Sequence, residues 1–320
     1  PSSIDLRNDT PTDPDWANSL EPGWQRRRNE NFTNLTSGVF DTEDLVNDGW
    51  TEIVGNLMLR ARKEGGLGTS LEQIGTIVEN ADFEKMNQVR TRVDEIVKDP
   101  ATAEKLVPQQ VIGCKRLCLD SGYFETFNRE NVSLVDVASS PIDHITSKGV
   151  VAGNVEHEVD VLVYATGFDA MTGSLLKIDI RGRQNKTLSD AWEAGPVTYL
   201  GLNTAGFPNM FMVSGPGSPS VLTNMIMSIE QHVEWISDCI SHIVSSGKTT
   251  IETTETEQTQ WVAFVNAVAD MTLYPSCNSW YLGANVPGKP RVFMPLLGFP
   301  TYADKCSDVA AKGYEGFVLV

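Results

Sequence analysis

Two glycine-rich loops carry the clearest chemical potential in this sequence. The run Val159-Asp-Val-Leu-Val-Tyr-Ala165 ends in Thr166-Gly167-Phe168-Asp169, and Met210-Phe-Met-Val213 ends in Ser214-Gly-Pro-Gly-Ser-Pro219. Each apolar run reads as a strand, and beyond the second loop Ile229, Val233, Ile236, Ile240 and Ile243 recur at helical spacing. A strand, a glycine loop and a helix in that order offer backbone N–H groups and a helix N-terminus to an anionic ligand. Many α/β folds use the same junction as an ordinary tight turn, and both readings stand at this level. Other chemistries find less support. Cys114-x3-Cys118 has a metal-ligand spacing, but no second Cys or His pair lies nearby, and His144, His157, His232 and His242 sit in no metal motif, so no metal is expected. There is no Gly-x-Ser-x-Gly nucleophile elbow. His232 and His242 read as helix-surface residues.

The elements that must position these loops follow from texture. Residues 1–23 are rich in Pro, Asp, Asn and Ser and read as an extended arm. Residues 24–108 read as an acidic helical subdomain: Leu45, Val46, Trp50, Ile53, Val54 and Leu57 repeat at helical spacing, as do Val89, Val93, Ile96 and Val97, with Gly65-Gly66-Leu67-Gly68 as an interrupting loop. After Pro108 the texture changes to short β-branched runs, Val132 to Val137, Gly149 to Val151 and Val159 to Ala165, which predict strands. Residues 109–158 and 159–320 are taken as separate segments of an α/β fold. Helices are predicted near Trp261 to Leu273 and Ala303 to Lys312, and a closing strand over Gly316 to Val320.

The 320 residues carry 42 acidic and 25 basic side chains, a formal charge of −17 that disfavours a broad electropositive surface for nucleic acid or anionic lipid. No stretch approaches the roughly 20 apolar residues of a membrane helix, and the first residues have neither the basic nor the apolar region of a secretory signal, so a cytoplasmic protein is expected. Five scattered cysteines do not make a disulfide framework and read as structural thiols in a reducing compartment. The Asn-x-Ser/Thr matches at Asn8, Asn31, Asn34, Asn131 and Asn185 read as chance.

A longer ordered pattern then emerges. Ala165-Thr-Gly-Phe-Asp-Ala170, Ile178-Asp-Ile-Arg-Gly182, Thr198-Tyr-Leu-Gly201, Gly206-Phe-Pro-Asn209, Gly215-Pro-Gly-Ser-Pro219 and Ile229-Glu-Gln-His-Val-Glu-Trp235 follow one another. Lys115-Arg116, Asp120-Ser-Gly-Tyr123 and Phe127-Asn-Arg129 precede them, and Ser279-Trp280 with Gly283-Ala-Asn-Val-Pro-Gly288 follow. In these motifs the sequence resembles the Baeyer–Villiger monooxygenases, of the phenylacetone, steroid and cyclohexanone types. The resemblance implies a Rossmann-like flavoprotein with two dinucleotide-binding domains, in which residues 109–158 are the remainder of the NADPH-binding domain and 159–320 return to the FAD-binding domain and the substrate pocket. It implies that NADPH reduces FAD, that O2 is captured as a flavin peroxide, and that this attacks a hydrophobic ketone to give an ester or lactone. On matching positions it implies that Arg116 stabilises developing negative charge, as a fixed guanidinium can. Lys115 would read the 2′-phosphate of NADPH, and Trp280 would pack on the nicotinamide-nucleotide side. Thr166, Gly167, Asp169 and Met225 would contact the cofactor, while Ser220, Val221 and Leu222 would shape the ketone pocket. The blander readings are a solvated basic pair at Lys115-Arg116, a core anchor at Trp280, and the buried start of a helix from Val221 to Met225.

The family's Gly-x-Gly-x-x-Gly flavin fingerprint is absent from this sequence. So are its second glycine fingerprint, its Phe-x-Gly-x-x-x-His-x-x-x-Trp-Pro signature and the aspartate that partners the active-site arginine. The expectation is a C-terminal part of a longer monooxygenase that needs an N-terminal FAD-binding region as partner. The alternatives are a flavin-free remnant doing redox-neutral isomerisation or cyclisation, and a non-catalytic binding protein.

Overall fold

A computed structural model describes residues 3–6, 10–37, 39, 41, 43–53, 71–220, 223–270, 272–284, 286–289, 294–295 and 298–320. The expected Gly65–Gly68 loop, and Val54, Leu57, Val221 and Leu222, lie outside the described residues. In chain order the main elements are β1 (Ser3–Leu6), α1 (Pro14–Ser19), α2 (Trp24–Thr36), α3 (Leu71–Ile96), α4 (Pro100–Leu106), β2 (Cys118–Asp120), β3 (Ile142–Ile145), β4 (Gly149–Ala152) and β5 (Val155–Glu158). There follow α5 (Gly173–Leu176), α6 (Leu188–Ala191), α7 (Met225–Ser245), β6 (Ile251–Thr253), α8 (Glu255–Asp270), α9 (Phe299–Ala311) and β7 (Phe317–Leu319). The mixture of helix and sheet is the α/β class expected.

The backbone divides into two compact units. The first takes Pro1–Asp9, Lys85–Gln109 and Leu117–Phe168. In it β1 pairs in parallel with β2, and β3, β4 and β5 form an antiparallel meander. The β4–β5 connection is Gly153-Asn154, both at positive φ (56° and 66°), the two-residue geometry that suits the right-handed twist of a hairpin. Val93, Val97, Ala103, Leu106 and Phe124 form its buried cluster, so the Val89, Val93, Val97 periodicity marks a core face as expected. Asp120 is a structural centre here. One carboxylate oxygen accepts from the Gly122 and Tyr123 amides, each at 2.9 Å, and the other from Arg92 at 2.9 Å, with both side chains largely buried. Asn128 bonds the end of α3, accepting from the Lys98 amide and donating to the Ile96 carbonyl.

Two expected strands are not formed. Val132 to Val137 has no ladder, and neither does Val159 to Ala165. In the latter, Val161 is 76% exposed, Val163 77% and Tyr164 70%, followed by Phe168 at 89%. A β-branched run apolar on both faces is the pattern of a strand flanked on both sides. Among the described residues no strand pairs with it, and the Val159 amide donates to the Lys148 carbonyl at 3.0 Å.

The second unit takes Thr10–Glu84, Gln110–Arg116 and Asp169–Val320. Its main core joins Trp235, Cys239 and Ile243 of α7 to Trp261 and Val265 of α8 and to Phe299, Tyr302, Cys306 and Val309 of α9. The buried stripe of α7 therefore runs Ser228, His232, Trp235, Cys239, Ile243, not along the isoleucine series read from the sequence. Val233 and Ile240 face outward. The helix is apolar on several sides, so periodicity alone does not select the face, and the aromatic partners Tyr302 and Tyr314 do. The run Met210 to Val213 is likewise not a strand. It is held instead by Asn203, whose amide donates to the Met210 carbonyl, and by the Met212 amide bonding the Leu202 carbonyl. The closing strand and the helix before it form as expected, β7 pairing antiparallel with β6. Among the described residues no helix is long and apolar enough to cross a membrane, and no group of three or more His, Cys, Asp or Glu could hold a metal ion.

Candidate active site

Lys115 and Arg116 close a loop, residues 110–116, that is fixed from two directions within the second unit. The Ile112 amide donates to the Asp82 carboxylate of α3 at 2.5 Å. On the other side the Tyr274 hydroxyl donates to the Gly113 carbonyl at 3.2 Å, and Cys114 is joined to Cys277 in a disulfide with a Cα separation of 5.5 Å. Val111, Cys114, Tyr274, Cys277 and Leu282 pack together as a small core beneath these bonds. The free-thiol reading of all five cysteines is thus corrected: two are paired, and a sequence separation of 163 is beyond what spacing can pair. Burial pushes the other two buried thiols up, Cys239 to about 12 and Cys306 to about 11, which makes them unreactive packing residues.

On this fixed loop Lys115 and Arg116 are both exposed. The guanidinium carbon of Arg116 lies 5.4 Å from the centre of the Trp50 ring, a cation–π geometry that orients it. Among the described residues Lys115 makes no ion pair. Trp280 follows Cys277 by three residues, is half-buried, and lies against Tyr281 with ring centres 4.3 Å apart. Its loop is tethered at the far end as well. Lys289 forms an ion pair with Asp169 and donates to the Ala170 carbonyl at 2.7 Å. Lys289, which lies just beyond the Gly283–Gly288 motif, is a residue of the candidate site that sequence reading missed, because its partner is distant in sequence.

The other expected residues are placed less centrally. Thr166 and Gly167 lie in the exposed segment of the first unit and make no described contact with the rest of the set. Ser220 is buried with φ of 43°, and Met225 opens α7 behind the Asn224 cap, whose side chain accepts from the Ile226 amide. The Gly215–Pro219 loop before them is held by Thr198, which donates to the Pro216 carbonyl, and by Trp261, which donates to the Gly217 carbonyl at 3.0 Å.

The structure corrects the surface reading of His232, which is fully buried. Its Nδ1 accepts from the Ser214 amide at 2.9 Å, which leaves Nε2–H to donate to the Tyr302 hydroxyl at 2.8 Å, and Tyr302 donates in turn to the Leu200 carbonyl at 2.7 Å. The chain of bonds defines the tautomer. Burial lowers the imidazole from 6.5 to about 4, so it is neutral near pH 7. His242 is only partly buried, against Tyr314.

These features can be set beside known proteins. The chain is 43% identical to cyclohexanone 1,2-monooxygenase of Acinetobacter sp. over 257 residues, covering 79% of this chain and 47% of that protein. It is 39% identical to neopentalenolactone D synthase of Streptomyces avermitilis over 297 residues, covering 91% and 49%. The structure of cyclohexanone monooxygenase from Rhodococcus sp. Phi1 bound to NADP+ superposes with a TM-score of 0.81 at 34% identity, over 99% of this chain and 60% of that one. The chain belongs to the Baeyer–Villiger monooxygenases. No protein-family model matches it. As a Baeyer–Villiger monooxygenase chain it spans just under half the length of these curated relatives, and the fold is that of flavin-dependent enzymes with two dinucleotide-binding domains. Several motif residues of the family resemblance have structural tasks in it. Asp120 and Asn128 are described above, and Asn209 accepts from the Ile251 amide while donating to the Thr249 carbonyl.

Proposed function

We propose that this chain forms the pyridine-nucleotide and ketone-facing part of an NADPH- and FAD-dependent Baeyer–Villiger monooxygenase, which converts a hydrophobic ketone to an ester or lactone with O2. The observation that carries the proposal is the exposed Lys115-Arg116 pair on a loop fixed by Asp82, Tyr274 and Cys277, beside the tethered loop of Trp280. This donor set fits NADPH: two adjacent cations for phosphate and a half-buried indole for the nicotinamide side. It fits FAD less well. The sequence has no glycine fingerprint, and Asp169 is engaged by Lys289.

In this reading Lys115 attracts the 2′-phosphate as a mobile point charge. Arg116 supplies a planar guanidinium as counter-charge where negative charge develops on the reacting oxygens. Trp280 closes the nucleotide side and excludes water. The family resemblance assigns Ser220, Val221 and Leu222 to the ketone and Met225, Thr166 and Gly167 to the cofactor. The exposed apolar run from Val161 to Tyr164, which forms no ladder, supports a further point, that a flavin-binding region outside this sequence supplies its strand neighbours. A cytoplasmic setting, where NADPH is regenerated, completes the proposal.

The test uses the full-length gene product containing this sequence. With NADPH, air and a panel of cyclic and aryl ketones, the expected result is ketone-dependent NADPH oxidation with a lactone or ester seen by mass spectrometry. Arg116→Ala is expected to lower oxygenation about 100-fold or more, and Lys115→Ala to raise KM for NADPH with little change for NADH. Undiminished ester formation by Arg116→Ala, or no NADPH oxidation by a flavin-loaded protein with any ketone, overturns the assignment.

A further inference from the structure

The Cys114–Cys277 link stands two residues before Arg116 and three before Trp280, and it joins the two loops that carry them. The loops do not depend on it for contact. Tyr274 bonds the Gly113 carbonyl, Asp82 holds the Ile112 amide, and Val111, Tyr274 and Leu282 pack around the two sulfurs. These contacts bring the two cysteines together before any bond forms, with Cα atoms at a separation that a disulfide spans without backbone movement. The other three cysteines, Cys118 exposed and Cys239 and Cys306 buried, are not disulfide-bonded, so the chain is not built on a disulfide scaffold. A single cross-link placed beside two site loops in such a chain has the position of a control element.

We propose that Cys114 and Cys277 are a redox modification site, a reversible clasp that ties the Trp280 loop covalently to the Lys115-Arg116 loop when oxidised and leaves the two held by noncovalent contacts when reduced. This rests on the proposed function for its consequence, though not for its chemistry. The oxidant is a low-molecular-weight disulfide such as oxidised glutathione. One cysteine thiolate attacks a sulfur of that disulfide and expels one glutathione thiolate, forming a mixed disulfide. The second cysteine thiolate attacks the protein sulfur of the mixed disulfide and expels the other. Two electrons pass to glutathione, one S–S bond breaks as another forms, and the two cysteine protons end on the two released thiols. Both cysteines are buried, so exchange requires the Trp280 loop to lift, and a ligand that holds the loop down slows it.

The experiment equilibrates the full-length protein in glutathione buffers from fully reduced to fully oxidised, quenches with acid and alkylates. Peptide mapping then reads the Cys114–Cys277 cross-link, while hydrogen exchange reads residues 277–284 and steady-state kinetics reads NADPH. The expected result is a cross-link that forms and breaks with the buffer, slower exchange in the oxidised form, and a KM for NADPH raised about fivefold to tenfold on reduction, because the loop must then be ordered on binding. Cys114→Ser and Cys277→Ser are expected to match the reduced protein in every buffer, and Cys118→Ser to respond as the native protein does. Should the serine variants fail to fold, the native protein's buffer series alone gives the same readout. Absence of the cross-linked peptide in all buffers overturns the proposal, as does a cross-link that changes neither exchange nor KM. A protein that turns over no NADPH but shows the cross-link with buffer-dependent exchange refutes the proposed function and leaves the clasp standing.

Discussion

Protonation of His232 is a direct test of the buried bond chain from Ser214 to Leu200. The folded protein holds this imidazole at about 4, against 6.5 in the unfolded chain. The unfolded state therefore binds more protons below pH 6.5, and stability is unaffected above that pH, falls between 6.5 and 4, and levels off below. With those two values, lowering the pH from 7.5 to 5 costs about 2 kcal/mol, and the full loss below pH 4 is about 3 kcal/mol. His232→Asn removes the titration while its side-chain oxygen stands near the Nδ1 position to accept from the Ser214 amide. It is expected to be less stable than the native chain by about 1–2 kcal/mol at pH 7.5, since the Tyr302 bond and some packing are lost. Urea denaturation followed by tryptophan fluorescence, to which Trp235 and Trp261 of the same core contribute, measures both proteins at pH 7.5 and pH 5. Carboxylates such as Asp44, lowered through its side-chain and backbone hydrogen bonds against desolvation, also lose stability on acidification, but equally in both proteins. The native-minus-variant difference should thus fall by about 2 kcal/mol at pH 5, to zero or slightly in the variant's favour, a relative midpoint change of roughly 1 M urea. A difference that is the same at both pH values would refute the assignment of His232 as a neutral, buried acceptor.

Two further substitutions test the supports of the site. Gly201→Ala places a methyl group 2.4 Å from the Ser218 amide nitrogen, at a φ of 69°, and is expected to cost more than about 2 kcal/mol and to lower Tm by several degrees in calorimetry. Lys289→Met removes the cation from Asp169 and is expected to cost about 1–3 kcal/mol. Its amide exchange should quicken near Thr172 to Leu176 and stay unchanged in the α7–α9 core.

Local pattern and long-range pairing part company at particular residues. Val89, Val93 and Val97 announce a helix face because a 3.6-residue repeat is written in adjacent sequence, and the helix buries that face. Gly149 to Ala152 and Phe317 to Leu319 form strands because each has a described neighbour to complete its ladder. Val159 to Ala165 has the strongest strand composition of all and forms no ladder, since a strand exists only through its partners. The motif residues divide in the same way. Lys115, Arg116 and Trp280 are legible as a resemblance, whereas Lys289 and the Cys114–Cys277 bond are not, because each partner is more than a hundred residues away.

By itself the sequence determined the α/β class, the helix periods and the family, because these depend on residue type and on order along the chain. Tertiary structure alone decided which face of α7 is buried, that His232 is neutral, that Asp169 pairs with Lys289, and that the Trp280 and Arg116 loops are joined. Those outcomes depend on which distant side chains arrive within a few ångströms once the core closes, and on the water removed when they do.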